Sequence, residues 1–125
     1  MEQSTKELVL KIAQILYDKK ARNIVALDVE GMTPLTDAMV IATGRSVLQA
    51  QTLTREVQDR LAEENILPTR REGYQDALWA VLDYGVVIVH IFHEEEREFY
   101  QLDKLWEKDG NRVPLPFEEE ESTEA

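Results

Sequence analysis

The sequence predicts an α/β fold: a single compact domain with a four-stranded mixed sheet flanked by helices. Three observations predict it. Two segments carry apolar residues at helical spacing, and each opens on a capping-box pattern. Four short apolar runs have the character of buried strands, and the last two are separated by Asp83-Tyr84-Gly85, which suits a hairpin. The elements then follow the order helix, strand, strand, helix, strand, strand, helix, which closes into one α/β layer structure.

Ser4 and Glu7 have capping-box spacing, and Leu8, Ile12, Ile15 and Leu16 recur behind them as one helical stripe. Asn23 is expected to end that helix, with Ile24–Val29 as a short buried strand and Gly31 and Pro34 marking a turn. Asp37–Thr43 is a second apolar run, closed by Gly44. Ser46 and Gln49 repeat the capping pattern, and Ala50, Leu53, Val57 and Leu61 form the stripe of a second helix that stops near Asn65. Pro68–Gln75 is polar and reads as a loop. Ala77–Leu82 and Val86–Phe92 read as paired strands, and the second is apolar at both odd and even positions. A strand of that kind is covered on both faces and belongs in the middle of a sheet. Glu94, Glu95 and Glu96 favour a helix N-terminus through the backbone dipole, and Phe99, Leu102, Leu105 and Trp106 give apolar contacts to the turns that follow.

A length of 125 residues fits one domain. The domain is expected over residues 1–110, with Gly110 closing it and residues 111–125 forming an acidic, disordered tail rich in Pro and Glu. The chain has no cysteine, which excludes disulfide frameworks, thiolate metal sites and cysteine nucleophiles. Its N-terminus lacks the pattern of a signal peptide, and its longest apolar stretch is too short to span a bilayer, so a cytoplasmic protein without membrane contact is expected. The net charge is −11, from 25 acidic and 14 basic side chains. Such a surface repels phosphate backbones, disfavours nucleic acid as the main contact, and suits a basic partner. Glu118, Glu119, Glu120, Glu121 and Glu124 account for part of the excess, which also serves solubility.

Few residues point to catalysis. His90 and His93 are three apart in a strand, so their side chains leave on opposite faces and do not converge on a metal. Asp28 and Glu30 alternate along a strand and would suit magnesium, but no glycine-rich phosphate cradle accompanies them. Thr43-Gly44-Arg45-Ser46 enters a helix where an anion could sit, and a plain N-cap explains it as well. No serine stands in a nucleophile-elbow context. No metal or cofactor is expected, and the chain reads as a non-enzyme. Trp79 is more informative. Strand alternation puts it on the face of Asp83, with Tyr84 adjacent in the turn, and an aromatic beside an acid at a hairpin end suits protein recognition. Ordinary core packing of Trp79 is the competing reading.

Several spaced motifs together resemble the ribosomal silencing factor (Iojap) family. They are Glu72-Gly73, Trp79, Leu82-Asp83-Tyr84-Gly85, His90-Ile91-Phe92, Glu95-Glu96-Arg97-Glu98-Phe99-Tyr100 and Leu105-Trp106, with Ala26-Leu27-Asp28-Val29 and Thr36-Asp37 through Ile41-Ala42-Thr43-Gly44 upstream. The resemblance runs from about Leu8 to Trp106. It implies a nucleotidyltransferase-like fold without established catalysis. It also implies a translational repressor that docks on large-subunit ribosomal protein L-fourteen and keeps the large ribosomal subunit from joining the small one. Carried over by position, the docking residues are Trp79, Asp83 and Tyr84, joined by Tyr74 and Asp76 from the preceding loop. Arg97 and Tyr100 match family positions and are open to a structural role. The family often has an acid directly after the turn glycine, where this chain has Val86. A large-subunit assembly factor and a divergent nucleotidyltransferase using Asp28 and Glu30 are the alternatives. A sheet edge or apolar patch would also allow a homodimer away from the ribosome.

Overall fold

Helix α1, Gln3–Asp18, opens the chain in the computed structural model, which describes residues 1–119. Thr5, Val9, Ile12, Ala13, Ile15 and Leu16 form its buried face, the stripe expected from the spacing. Ser4 lies inside the first turn and caps nothing, because the helix begins before it with Glu2 at the N-cap. Lys20, not Asn23, ends the helix. Lys20 has φ +67°, and the Ala21 N–H donates to the Leu16 carbonyl at 2.9 Å, the wrap-around bond of a left-handed C-terminal stop.

Strand β1, Arg22–Asp28, follows, then β2, Ala38–Gly44, and helix α2, Val47–Ala62. At α2 the expected cap forms: the Gln49 N–H donates to Ser46 Oγ at 3.0 Å. Gln49 Oε1 in turn accepts the Arg45 N–H at 2.7 Å. Asn65, at φ +62°, stops α2 as its position in the sequence suggested. Strand β3, Arg70–Glu72, precedes β4, Trp79–Asp83, and β5, Val87–His93. Helices α3, Glu94–Tyr100, and α4, Leu102–Trp106, complete the domain.

The sheet has five strands in the order β1-β2-β5-β4-β3, parallel only between β2 and β5. The fifth strand is the departure from the four expected. β3 lies within the polar segment read as a loop, and all three of its side chains are exposed. It pairs with β4 through backbone bonds and charged side chains, Arg71 opposite Leu82, so it leaves no apolar signal in the sequence. Charged side chains on such an edge also discourage pairing with other chains. β5 sits in the centre, buried on both faces as its composition predicts.

Register divides the core into two. Ala26, Val40, Ala42, Ala80, Leu82, Val89 and Ile91 face α1 and α2. Val25, Leu27, Met39, Ile41 and Phe92 face the other way, where Trp79, Leu102 and Trp106 pack over them. The segment expected to leave the domain after Gly110 stays on it. The Asp28 N–H donates to the Asn111 carbonyl at 2.8 Å and the Val113 N–H to the Ala26 carbonyl at 2.8 Å, so the chain runs along the outer edge of β1. Val113 is buried, and Phe117 stacks on Tyr17 with ring centroids 4.2 Å apart. Edge backbone groups and two apolar side chains hold residues 111–119 where composition alone predicted a free tail. The rest of the expected tail, 120–125, lies outside the described residues.

Candidate protein-docking site

Strand β4 carries Trp79 onto the sheet face that α1 and α2 leave uncovered. The β4–β5 register sets Trp79 directly opposite Phe92 and Val81 opposite His90. Cross-strand neighbours share a face, so an aromatic cluster assembles there. The Trp79 ring stacks on the fully buried Phe92 at 4.9 Å and meets Tyr100 of α3 at 4.9 Å, tilted by 45°. Phe99 packs edge-on against Tyr100 at 5.0 Å. Tyr100 is 51% exposed and Phe99 79%, so the cluster is rooted in the core and open to solvent on its outer side.

The Trp79 Nε1–H donates to His90 Nδ1 at 3.1 Å. Burial holds the His90 imidazole well below its ordinary range, at about 4, so the ring is neutral near pH 7. Because Nδ1 accepts, the ring proton is on Nε2. That tautomer fixes the indole orientation from beneath. Protonating His90 would oppose its burial and set a cation against the Trp79 N–H. The unfolded chain titrates near pH 6.5 and the native one near 4, so the unfolded state binds the proton first as pH falls. Stability is therefore expected to fall between about pH 6.5 and pH 4 by up to about 3 kcal/mol. Urea titrations at several pH values check this, and His90→Gln should flatten the slope; an equally steep slope in that variant would assign it elsewhere.

Arg97 anchors α3. Its guanidinium is buried, donating through Nη1 to Thr43 Oγ1 at 2.8 Å and through Nε and Nη2 to the two Asp103 carboxylate oxygens at 3.2 and 3.0 Å. Partial burial works to raise the Asp103 pKa, but the hydrogen bonds and charge of Arg97 outweigh it and hold the carboxyl below its usual range. Arg97 therefore has a structural role: it fixes the helix that presents Phe99 and Tyr100.

The five expected docking residues do not form one cluster. Trp79 and Asp83 begin and end β4 on one face, about 13 Å apart at strand rise. Asp83 shapes the hairpin: its Oδ1 accepts the Gly85 N–H at 2.8 Å, and Oδ2 lies 3.6 Å from Arg70. Tyr84 packs toward α1 and α2, away from Trp79. Its hydroxyl is buried without a hydrogen-bond partner among the described residues, and burial pushes it up to about 12. Val86 does not disturb the turn, because its carbonyl accepts from the Asp37 and Ala38 N–H groups and its side chain points outward.

Tyr74 and Asp76 lie in the loop that leads into Trp79. The Tyr74 hydroxyl accepts from Arg55 at 2.7 Å, and the Arg71 guanidinium sits 4.4 Å above its ring. Asp76 is exposed. Gly73 closes the loop: it has φ +72°, and a Cβ there would stand 2.1 Å from the Trp79 carbonyl oxygen. Sequence reasoning missed His90, Phe92 and Phe99 as members of the site. The register across the hairpin, which pairs Trp79 with Phe92, was the signal that could have found the first two.

Asp28 and Glu30, the carboxylates of the enzymatic alternative, lie 3.9 and 3.8 Å from the Met1 ammonium, and Asp28 Oδ1 accepts the Glu30 N–H. Among the described residues no group of three His, Cys, Asp or Glu side chains is arranged to hold a metal ion.

The geometry has close counterparts. A crystal structure from Bacillus halodurans superposes with a TM-score of 0.74 at 36% identity, covering 91% of this chain and all of that one. A second, from Chromobacterium violaceum, gives 0.75 at 30% identity over 93% and 97% of the two chains. The ribosomal silencing factor RsfS of Bacillus subtilis is 42% identical over 99 residues, 78% of this chain and 84% of that protein. Residues 2–125 match the family described as ribosomal silencing factor during starvation. With the fold and nearly the full length in agreement, the chain belongs to the ribosomal silencing factor family.

Proposed function

We propose that this protein is a cytoplasmic translational repressor that docks on the large ribosomal subunit through ribosomal protein L-fourteen and sterically blocks the small subunit. The observation that carries this reading is the solvent-open aromatic surface of Trp79, Tyr100 and Phe99 on a rigid sheet. Large aromatics anchored in a core and open on one side are the usual energetic centre of a protein interface. Tyr74, held by Arg55 of α2, and Asp76 offer further contacts from the loop that leads into β4, and Asp83 adds an acid at the far end of that strand. The net charge of −11 favours encounter with a basic ribosomal protein. Arg97 supports the surface by fixing α3, and Tyr84 packs on the opposite face of the sheet.

The function requires binding and bulk, not catalysis. Among the described residues no helix is long and apolar enough to cross a membrane. A second copy covering Trp79 would have to leave before the protein could dock, so self-association would compete with ribosome binding.

Sedimentation with separated ribosomal subunits tests the reading. The protein is expected to travel with large subunits and to reduce joining when added before mixing. Protein left at the top of the gradient would overturn it. Co-migration without reduced joining, together with immature large subunits in a deletion strain, would move the function to assembly.

A further inference from the structure

Helix α3 carries one cation and turns it inward. Arg97 is buried, with its guanidinium on Thr43 and Asp103. With about 3.6 residues per turn, the positions farthest round the helix from Arg97 are Glu95 and Phe99, four apart and so neighbours on the outer face. Phe99 is 79% exposed, although its edge-on contact with Tyr100 holds one side of the ring. Glu95 is exposed and has no ion-pair or hydrogen-bond partner among the described residues. The other acids of the helix are engaged elsewhere. Glu96 lies 3.6 Å from His93, and Glu94 and Glu98 line the cleft toward β1 together with Lys104 and Arg112.

The chemistry of the pair selects what can cover it. An apolar side chain laid on Phe99 would strip water from the Glu95 carboxylate and return no hydrogen bond, which costs free energy. An acidic side chain would be repelled by that carboxylate. A basic side chain suits both partners: its charge lies over the negative face of the ring, and its N–H groups donate to the carboxylate. We propose that Phe99 and Glu95 form a binding corner for one basic side chain of the docked protein, a planar guanidinium fitting best because it stacks and donates at once. Resting on the docking reading above, the corner adds the chemical identity of one contact on that surface.

Its place in the surface fits the role. Tyr100 links the corner to the core-anchored centre, since it meets Phe99 at 5.0 Å and Trp79 at 4.9 Å. Among the described residues the one guanidinium stacked on a ring is Arg71 over Tyr74, so no cation of this chain fills the corner. The net charge of −11 draws a basic protein from any direction, whereas a single corner beside Tyr100 favours one orientation of it.

Binding of the full-length protein to purified large ribosomal subunits, read by sedimentation at several salt concentrations, tests this. Phe99→Leu keeps an apolar side chain and removes the π face, and is expected to weaken binding about fivefold. Phe99→Tyr, which keeps that face, should bind as the unmodified protein does. Glu95→Gln keeps the shape and removes the charge; it should weaken binding by a similar factor and make the salt dependence shallower. The variant with both Phe99→Leu and Glu95→Gln should lose less than the product of the two factors, because either change alone already frees the same cation. Both side chains are exposed, so unchanged melting curves confirm that each variant is folded. Unweakened binding by Phe99→Leu would overturn the proposal, as would losses that simply multiply or a salt dependence that Glu95→Gln leaves alone. In those cases a loss of binding in Trp79→Ala would keep the docking reading in place. Self-association weakened by Phe99→Leu, with large-subunit binding intact, would assign the ring to a second copy and overturn the proposal too.

Discussion

Trp79→Ala is expected to weaken binding to the large ribosomal subunit by at least about a hundredfold while the protein remains folded. The indole supplies the largest ring of the exposed aromatic surface, and Phe92 beneath it prevents the gap from closing without exposing buried apolar area. The change also removes the Nε1–H donor to His90, leaving the buried imidazole unpartnered at both nitrogens. A stability loss of about 2 kcal/mol follows for a half-buried ring. That loss can be separated from binding by melting curves. Trp79→Phe keeps a ring over Phe92 and should recover most of the stability but only part of the affinity. Affinity is read by sedimentation or by light scattering with purified large subunits. Unchanged affinity in a folded Trp79→Ala protein would sink the interface placed there.

The elements most legible in the sequence are those whose burial leaves a period. The stripes of α1 and α2, and the doubly apolar β5, declare themselves because each must hide a face. Elements held by backbone bonds leave no such mark. β3 is Arg-Arg-Glu, fully exposed, and its strand character comes from β4 alone. The 111–119 segment is similar: on the β1 edge its bonds all engage the strand's backbone groups, and the apolar side chains that hold it, Val113 and Phe117, sit among prolines and glutamates that suggest disorder. Ser4 fails as a cap for another reason, since its capping-box spacing is not enough when the turn can start earlier.

For the site, alternation placed Trp79 and Asp83 correctly on one face but said nothing about the separation between them. Four strand steps put a core-anchored aromatic at one end and a turn-forming acid at the other. Tyr84, adjacent to Asp83 in the chain, turns to the opposite face, as parity along the strand requires. The aromatic partners of Trp79 come from β5 and α3, and only the hairpin register and the Arg97 anchor bring them together. The sequence suggests Asp83-Tyr84-Gly85 as the separator and leaves the register open. The pairing closes instead with the Tyr84 N–H on the Val87 carbonyl at 2.9 Å, leaving Gly85 and Val86 as the loop.

The preceding loop is where a single methyl group should matter most for stability. Gly73→Ala is expected to destabilise the domain by about 4 kcal/mol, combining backbone strain with overpacking. Alanine at φ +72° is strained by itself, and its Cβ would meet the Trp79 carbonyl oxygen at 2.1 Å, far inside contact. That oxygen belongs to a backbone fixed between β3 and β5, so it cannot swing aside like a side chain. Relief requires moving the loop or the first residue of β4, and the second would shift Trp79 off Phe92. Gly85 provides the control. It has φ +83°, but a Cβ there meets nothing within 4 Å, so Gly85→Ala should cost only the conformational strain, about 1 kcal/mol. Urea unfolding of the two variants side by side measures the difference. Equal losses would mean that the loop yields freely around Gly73 and that the position of Trp79 does not depend on it. The expected gap of about 3 kcal/mol would instead show that the close approach of this loop to β4 is what holds the docking aromatic in place.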